Sequence, residues 1–182
     1  MREQAEKLRQ RAFAARREKR LADASKDLIE AVALCRQSGE EVDLATTLTA
    51  LGQIERDLKN MEAARKNYEE AAAIYRAKKD VLRLAHTIRH LGDIHRHQKE
   101  GVIAEQHYRE ALQLYRGDSN TPPLDLANAI RGFAILKDDS GERDQARQLW
   151  QEARDLYVQV DVKEGVAEAS RRLERLRGFS PA

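Results

Sequence analysis

One pattern of apolar and small residues recurs three times along the chain at a nearly constant spacing. A large apolar residue is followed three and four positions later by a second apolar residue and a small one. Twelve residues further on comes Ala, then an aromatic residue, then Ala. The three copies are Leu48-x2-Leu51-Gly52 with Ala64-x3-Tyr68-x2-Ala71, Ile88-x2-Leu91-Gly92 with Ala104-x3-Tyr108-x2-Ala111, and Ile130-x2-Phe133-Ala134 with Ala146-x3-Trp150-x2-Ala153. A period of about 20–50 residues is typical of repeat proteins, which present binding surfaces.

These residue types indicate two closely packed helices in each copy. Small residues let facing helices approach, and a ring fills the space beside them. The pattern resembles the tetratricopeptide repeat, in a form 40 to 42 residues long. With Ala45, Ala85 and Ala127 as position 1, stepping back 40 residues adds a degenerate first copy. The resemblance implies an all-α, right-handed α-solenoid. It would contain four helix-turn-helix repeats (residues 5–38, 45–78, 85–118 and 127–160), a polar-faced capping helix (163–178) and a short tail (179–182).

Composition agrees with long amphipathic helices in a single domain. The 182 residues are 41% hydrophobic, 35% charged and only 5% aromatic, and no strand-like alternation occurs. First helices are predicted near residues 3–18, 43–58, 83–98 and 125–138, and second helices near 22–37, 61–78, 102–117 and 142–160. No apolar run reaches about 18 residues, and the N-terminus is too polar for a signal peptide. We therefore expect a soluble, cytoplasmic protein.

Motifs for chemistry are missing from the sequence. There is no glycine-rich phosphate loop and no Cys-x2-Cys, His-Glu-x2-His or Gly-x-Ser-x-Gly. We accordingly predict no enzyme activity, no catalytic residue and no cofactor. One stripe of residues could still bind a divalent metal ion such as Zn²⁺. At helical spacing His86, His90, Asp93 and His97 line one face of a single helix. We favour its interpretation as a polar binding surface, since one straight helix rarely supplies three ligands to a tetrahedral ion.

The resemblance also implies a concave groove lined by positions 2, 5, 6, 9, 12 and 13 of the first helices. Together with Glu168, Arg171, Arg172 and Arg175 of the capping helix, those positions hold ten arginines and six acids, a net charge of +4, whereas the whole chain carries +2. Arginine forks bind carboxylates in a bidentate manner. The candidate ligand-binding residues are Gln53, Arg56, His86, Arg89, His90, Asp93, Arg96, His97, Asn128, Arg131 and Arg171. The alternative is that these arginines pair with neighbouring acids in a solvated face.

The predicted function is that of a non-catalytic scaffold or adaptor. Its partner would be an acidic peptide or helix of another protein, and we expect neither nucleic acid nor a membrane as partner. The chain itself would be a monomer or a weak homo-oligomer. Two other functions fit the same repeats: a ligand- or peptide-sensing domain of a bacterial-type regulator, and a structural repeat protein that assembles with itself.

Overall fold

The chain is all-α in the computed structural model, which describes residues 1–178. The predicted tail at residues 179–182 lies outside the described residues. Within residues 1–178 there are nine helices and no strand. They are α1 (Arg2–Arg17), α2 (Leu21–Ser38), α3 (Glu41–Asp57), α4 (Met61–Lys78), α5 (Val81–His97), α6 (Gly101–Gly117), α7 (Pro123–Asp139), α8 (Arg143–Gln159) and α9 (Lys163–Arg177). Each predicted helix forms, and no terminus differs from its predicted position by more than two residues.

The helices form two compact units, Met1–Thr87 and Ile88–Ala182, and helix α5 contributes residues to both. In the first unit α1 packs on α2, α2 on α3, and α3 on α4. In the second unit α6 packs on α7, α7 on α8, and α8 on α9. Successive packing of helical hairpins is the arrangement of a helical repeat protein, in which each repeat contacts its neighbours along the chain.

The turn inside each repeat has one recurring conformation. Position 15 has a positive φ in all four repeats: 62° at Lys19, 70° at Lys59, 62° at Lys99 and 77° at Gly141. After Lys59, for example, the amide of Asn60 donates to the carbonyl of Glu55 at 2.8 Å, which satisfies an end carbonyl of α3. Left-handed backbone is costly for a residue with a Cβ, so three of these four turns use a lysine under strain.

The core of each of the last three repeats is built around one large ring. Tyr68, Tyr108 and Trp150 are each 0% exposed, as the register predicts. A Cβ at Gly52 would lie 2.9 Å from the Tyr68 ring, and one at Gly92 would lie 3.0 Å from the Tyr108 ring. The glycine therefore permits the close helix approach that the repeated pattern indicates.

A buried lysine links three helices of the second unit. The Lys137 side chain on α7 is 3% exposed, and its Nζ lies 2.8 Å from Glu105 Oε2 on α6. The same Nζ lies 2.8 Å from Glu142 Oε1, just before α8. Burial favours a neutral lysine, but the bonds to both carboxylates outweigh it and raise the pKa of Lys137. The ammonium ion is thus an integral part of this helix junction.

Candidate functional site

The centre of the candidate site is Asp93, on the part of α5 that belongs to the second unit. The hydroxyl of Tyr108 donates to Asp93 Oδ1 at 2.7 Å. Arg89 Nη1 donates to Asp93 Oδ2 at 3.3 Å, and His90 Nδ1 lies 3.5 Å from the same oxygen. Residues three and four apart share a helix face, so regular helix geometry brings both Arg89 and His90 to Asp93.

His90 links Arg89 to Asp93. Its Nε2 lies 3.0 Å from Arg89 Nη2, and a guanidinium can only donate, so Nε2 accepts. The ring proton then belongs on Nδ1, which faces Asp93. His90 is 4% exposed, which makes it a positioning residue for Arg89 and Asp93 rather than a surface contact.

The electrostatics keep Asp93 ionised. Burial alone would raise the pKa of this carboxyl, but the hydrogen bond from His90 and the charge of Arg89 outweigh burial, and the Tyr108 hydroxyl adds to them. The pKa of Asp93 is therefore held well below its usual value. Burial and the nearby Asp93 charge raise the pKa of Tyr108, which keeps its hydroxyl a donor. Burial likewise raises the pKa of Tyr115 to about 12.

Arg96 follows one helical turn after Asp93 and has weaker partners than Arg89. Its Nη2 lies 3.4 Å from His97 Nε2, and its Nη1 lies 3.9 Å from Asp139 Oδ2, on a side chain that is 59% exposed. Among residues 1–178 the buried Nε atom of Arg96 has no hydrogen-bond partner. The same is true of the Nε atom of Arg89. Two guanidinium groups thus flank a single, partly buried carboxylate.

Residues of α7 and α9 extend the candidate site beyond α5. Arg131 on α7 donates twice to Glu168 on α9, with Nε–Oε2 at 2.7 Å and Nη2–Oε1 at 3.0 Å. This bond raises the pKa of Arg131. Asn128, one turn earlier, accepts from the Tyr157 hydroxyl at 2.9 Å. Both predicted binding residues therefore already have partners within the second unit.

Helix α9 adds three arginines with different degrees of pairing. Arg172 Nη1 donates to Asp138 Oδ2 at 3.0 Å, and Arg175 forms a short bond to the same oxygen. Arg171 is exposed, and within the described range it makes no ion pair or hydrogen bond. We call the following set the arginine face: Arg89, Arg96, Arg131, Arg171, Arg172 and Arg175, with Asp93, Asp138, Asp139 and Glu168. Six arginines against four acids leave this face with an excess charge of +2.

The remaining predicted residues lie in different surroundings. Gln53, Arg56 and His86 belong to the first unit. Gln53 accepts from Arg16 at 3.1 Å, and Arg16 Nε also donates to Asp57 at 2.8 Å. His86 borders an apolar hollow of the first unit. His97 lies at the end of α5, beside Arg96.

Sequence reasoning missed the partners of these arginines. The repeated pattern predicts Tyr108 as a core ring and gives no role to Tyr157, whereas their hydroxyls hold Asp93 and Asn128 in place. The pairing of Arg131 with Glu168 was not predicted either. These pairs could have been found by searching for an acid about one repeat after each first-helix arginine. Arg131 and Glu168 are 37 residues apart, and Arg16 and Asp57 are 41 residues apart.

Two findings concern metals and membranes. Among the described residues, no group of three or more His, Cys, Asp or Glu side chains is arranged to hold a metal ion. Asp93 and His90 of the predicted stripe instead bond to Arg89. None of the helices within residues 1–178 combines the length and apolar character required to span a bilayer.

Comparisons with known proteins agree with this architecture. Solved structures that share the fold include BtubC (BKLC) from P. vanneervenii, with a TM-score of 0.72 and 18% identity over 98% of this chain, and the apo form of RapI, with a TM-score of 0.85 and 16% identity over 92% of this chain. The aligned parts are 66% and 61% of those longer chains. No curated protein matches in sequence.

Sequence profiles give the family. Two profiles described as Tetratricopeptide repeat match residues 3–77 and 84–116, and together they cover more than half of the chain. Tetratricopeptide repeats generally form non-catalytic protein-interaction scaffolds. The nine helices, the repeated small-residue contacts and these two matches lead to one conclusion: the chain belongs to the tetratricopeptide repeat family.

Proposed function

We propose that this chain is a non-catalytic adaptor whose arginine face binds the carboxylates of an acidic peptide or helix from another protein. The observation that carries the proposal is the unequal pairing of its arginines. Asp93 is one partly buried carboxylate between Arg89 and Arg96, and the nearest acid to Arg96 is 3.9 Å away. An incoming carboxylate would supply the acceptor that Arg96 lacks at short range.

The network around Asp93 supports a preorganised receptor. Arg89 is fixed by Asp93 and His90, and Asp93 in turn is fixed by Tyr108. A ligand that binds arginines already held in place loses less side-chain entropy than one that must order them. The arginines also stand on helices rather than loops, which favours a defined geometry.

The ion pairs within the arginine face determine how strongly each arginine can bind an acidic ligand. Arg131, Arg172 and Arg175 already bond to Glu168 or Asp138, so an acidic ligand must share or displace those acids. Arg96 and Arg171 are therefore expected to contribute most. A charge-assisted hydrogen bond contributes about 1.5–3 kcal/mol, so the loss of either arginine should weaken binding by about tenfold or more.

The test uses a short synthetic peptide of alternating Glu and Ser with blocked termini. We expect Arg96→Gln and Arg171→Gln to weaken its binding, measured by calorimetry at low salt. The matched control is Arg147→Gln, which removes the same charge from a half-exposed arginine on α8. A Lys–Ser peptide should not bind.

High salt should weaken the Glu–Ser peptide, because part of the attraction between exposed charges is screened. Equal losses in Arg96→Gln and Arg147→Gln would contradict the proposal, since they would mean attraction to net charge and not to this face.

A further inference from the structure

The first unit contains an apolar hollow that differs from the charged face of the second unit. The hollow has a volume of about 180 Å³ and is bordered by residues of α1, α3, α4 and the start of α5. We call it the first-unit hollow, and its main lining residues are Phe13, Thr46, Thr49, Ala50, Tyr75 and Arg83. A cavity of about 150 Å³ accommodates a benzene molecule, so this volume suits one large side chain.

The threonine and tyrosine hydroxyls of the wall are already bonded within the first unit. The hydroxyls of Thr46, Thr49 and Thr87 donate to the carbonyls of Val42, Ala45 and Arg83, four residues earlier, at 2.9, 2.9 and 2.8 Å. The Tyr75 hydroxyl donates to Thr46 Oγ1 at 3.2 Å. A polar group that entered would lose water without gaining a good partner, whereas an apolar group would gain by leaving water.

The rim adds an exposed ring on one side and a guanidinium on the other. Phe13 is 51% exposed, although the equivalent residues in the next two repeats are Gln53 and Asp93. The Arg83 guanidinium lies 5.5 Å from the centre of the Tyr75 ring and pairs with Asp80 at 2.7 Å. The Arg83 side chain is 52% exposed and that of Asp80 only 22%, so the rim presents mainly positive charge to solvent.

We infer that the first-unit hollow binds one large apolar side chain (Leu, Ile, Met or Phe) of the partner, next to an acidic residue that pairs with Arg83. The charge of the rim complements the acidic partner, so this inference rests on the proposed function and deepens it. The partner segment is then not merely acidic: it carries an apolar anchor that contacts Phe13, with a carboxylate beside it.

The experiment compares two blocked synthetic peptides that differ in one residue. One is the Glu–Ser peptide, and the other has a single central Leu in place of Ser. Burial of a leucine side chain corresponds to about 10- to 100-fold in affinity, so the Leu peptide should bind the full chain at least tenfold more tightly. In Phe13→Ser the two peptides should bind alike, because the ring that covers the leucine is missing.

A matched control removes an exposed apolar residue elsewhere in the same unit. Ile29 on α2 is 57% exposed and does not border the hollow, so Ile29→Ser should retain the preference for Leu. Thr49→Met supplies a second variant, in which the protein's own side chain fills the hollow and removes the preference. Equal binding of both peptides to the unaltered chain, or a preference that survives Phe13→Ser and Thr49→Met, would overturn the inference.

Nuclear magnetic resonance separates this inference from the proposed function. Methyl signals of Thr46, Thr49 and Ala50 report on the hollow, and side-chain signals of Arg96 and Arg171 report on the arginine face. We expect the Leu peptide to shift the methyl signals of the hollow, and we expect the Ser peptide to leave those methyl signals unchanged while it shifts the arginine signals. Arginine shifts without methyl shifts would refute the hollow, whereas methyl shifts without arginine shifts would refute the arginine face.

Discussion

At the scale of single residues, glycines decide how closely the helices of the second unit pack. The Tyr108 ring lies against Gly92 of its own repeat and against Gly132 of the next one. A Cβ at Gly132 would lie 2.7 Å from Tyr108 Cε1. The ring is fully buried, and its hydroxyl is held by Asp93, so it cannot move aside at low cost.

Gly132→Ala should therefore destabilise the protein. Overpacking typically costs about 1–3 kcal/mol, which exceeds the gain of up to about 1 kcal/mol from alanine in a helix. The control is Gly117→Ala at the end of α6, where a new Cβ would have nothing within 4 Å. We expect this control to be neutral or slightly stabilising in a urea titration. A Gly132→Ala variant as stable as the control would contradict the packing described here.

Asp93 gives a residue-scale prediction that depends on pH. Its pKa is lower in the folded chain than the unfolded value of about 3.9, so ionised Asp93 stabilises the fold above that pH. The contribution is lost as the pH falls through the folded pKa. Asp93→Asn should cost about 3 kcal/mol at pH 7, because Arg89 loses its buried partner.

The difference in unfolding free energy between Asp93→Asn and the unaltered chain should narrow as the pH is lowered from about 5 to 2. Chemical denaturation at several pH values measures it. Asp144→Asn, at a side chain that is 89% exposed, serves as the control and should cost little. A difference that stays constant over this range would show that Asp93 is not stabilised as an ion.

At the scale of helices, the sequence predicted the elements better than their connections. Helix positions followed from the repeated apolar register, because each helix must bury the same face against its neighbours. The register contains no information on which arginine meets which acid. Arg131 lies on α7 and Glu168 on α9, and the sequence predicted each helix without predicting the contact between these two side chains. The left-handed turns at Lys19, Lys59 and Lys99 were also missed, since lysine carries no signal for that conformation.

Two ion pairs of the second unit join helices but differ in burial. Lys137 is almost fully buried between Glu105 and Glu142, whereas the half-exposed Arg116 donates from Nη2 to both carboxylate oxygens of Glu152 at 2.9 Å. Lys137→Ala should cost about 3 kcal/mol or more, because it leaves two carboxylates without their cation. Arg116→Ala should cost less than about 1 kcal/mol, as exposed pairs do. Thermal and urea unfolding measure both, and a larger loss for Arg116→Ala would contradict this ranking.

At the scale of the whole molecule, basic and acidic residues are present in nearly equal numbers. The chain has 33 basic and 31 acidic residues, and many first-helix arginines pair with an acid about one repeat away. Arg131 thus connects two helices and also belongs to the proposed binding face. In the first repeat, exposed Lys7 and Arg11 stand at positions 3 and 7, where the second repeat has buried Thr47 and Leu51. This charged surface of α1 disfavours the end-to-end assembly that the sequence left open.

The central claim is that an acidic partner binds on α5, α7 and α9 of the second unit. Hydrogen–deuterium exchange of the full chain, with and without saturating Glu–Ser peptide, tests it most directly. We predict slower exchange in peptides from residues 88–97, α7 and α9, and unchanged exchange in α6 and α8 of the same unit. Protection confined to α6 and α8, or none at peptide concentrations where calorimetry shows saturation, would contradict the claim.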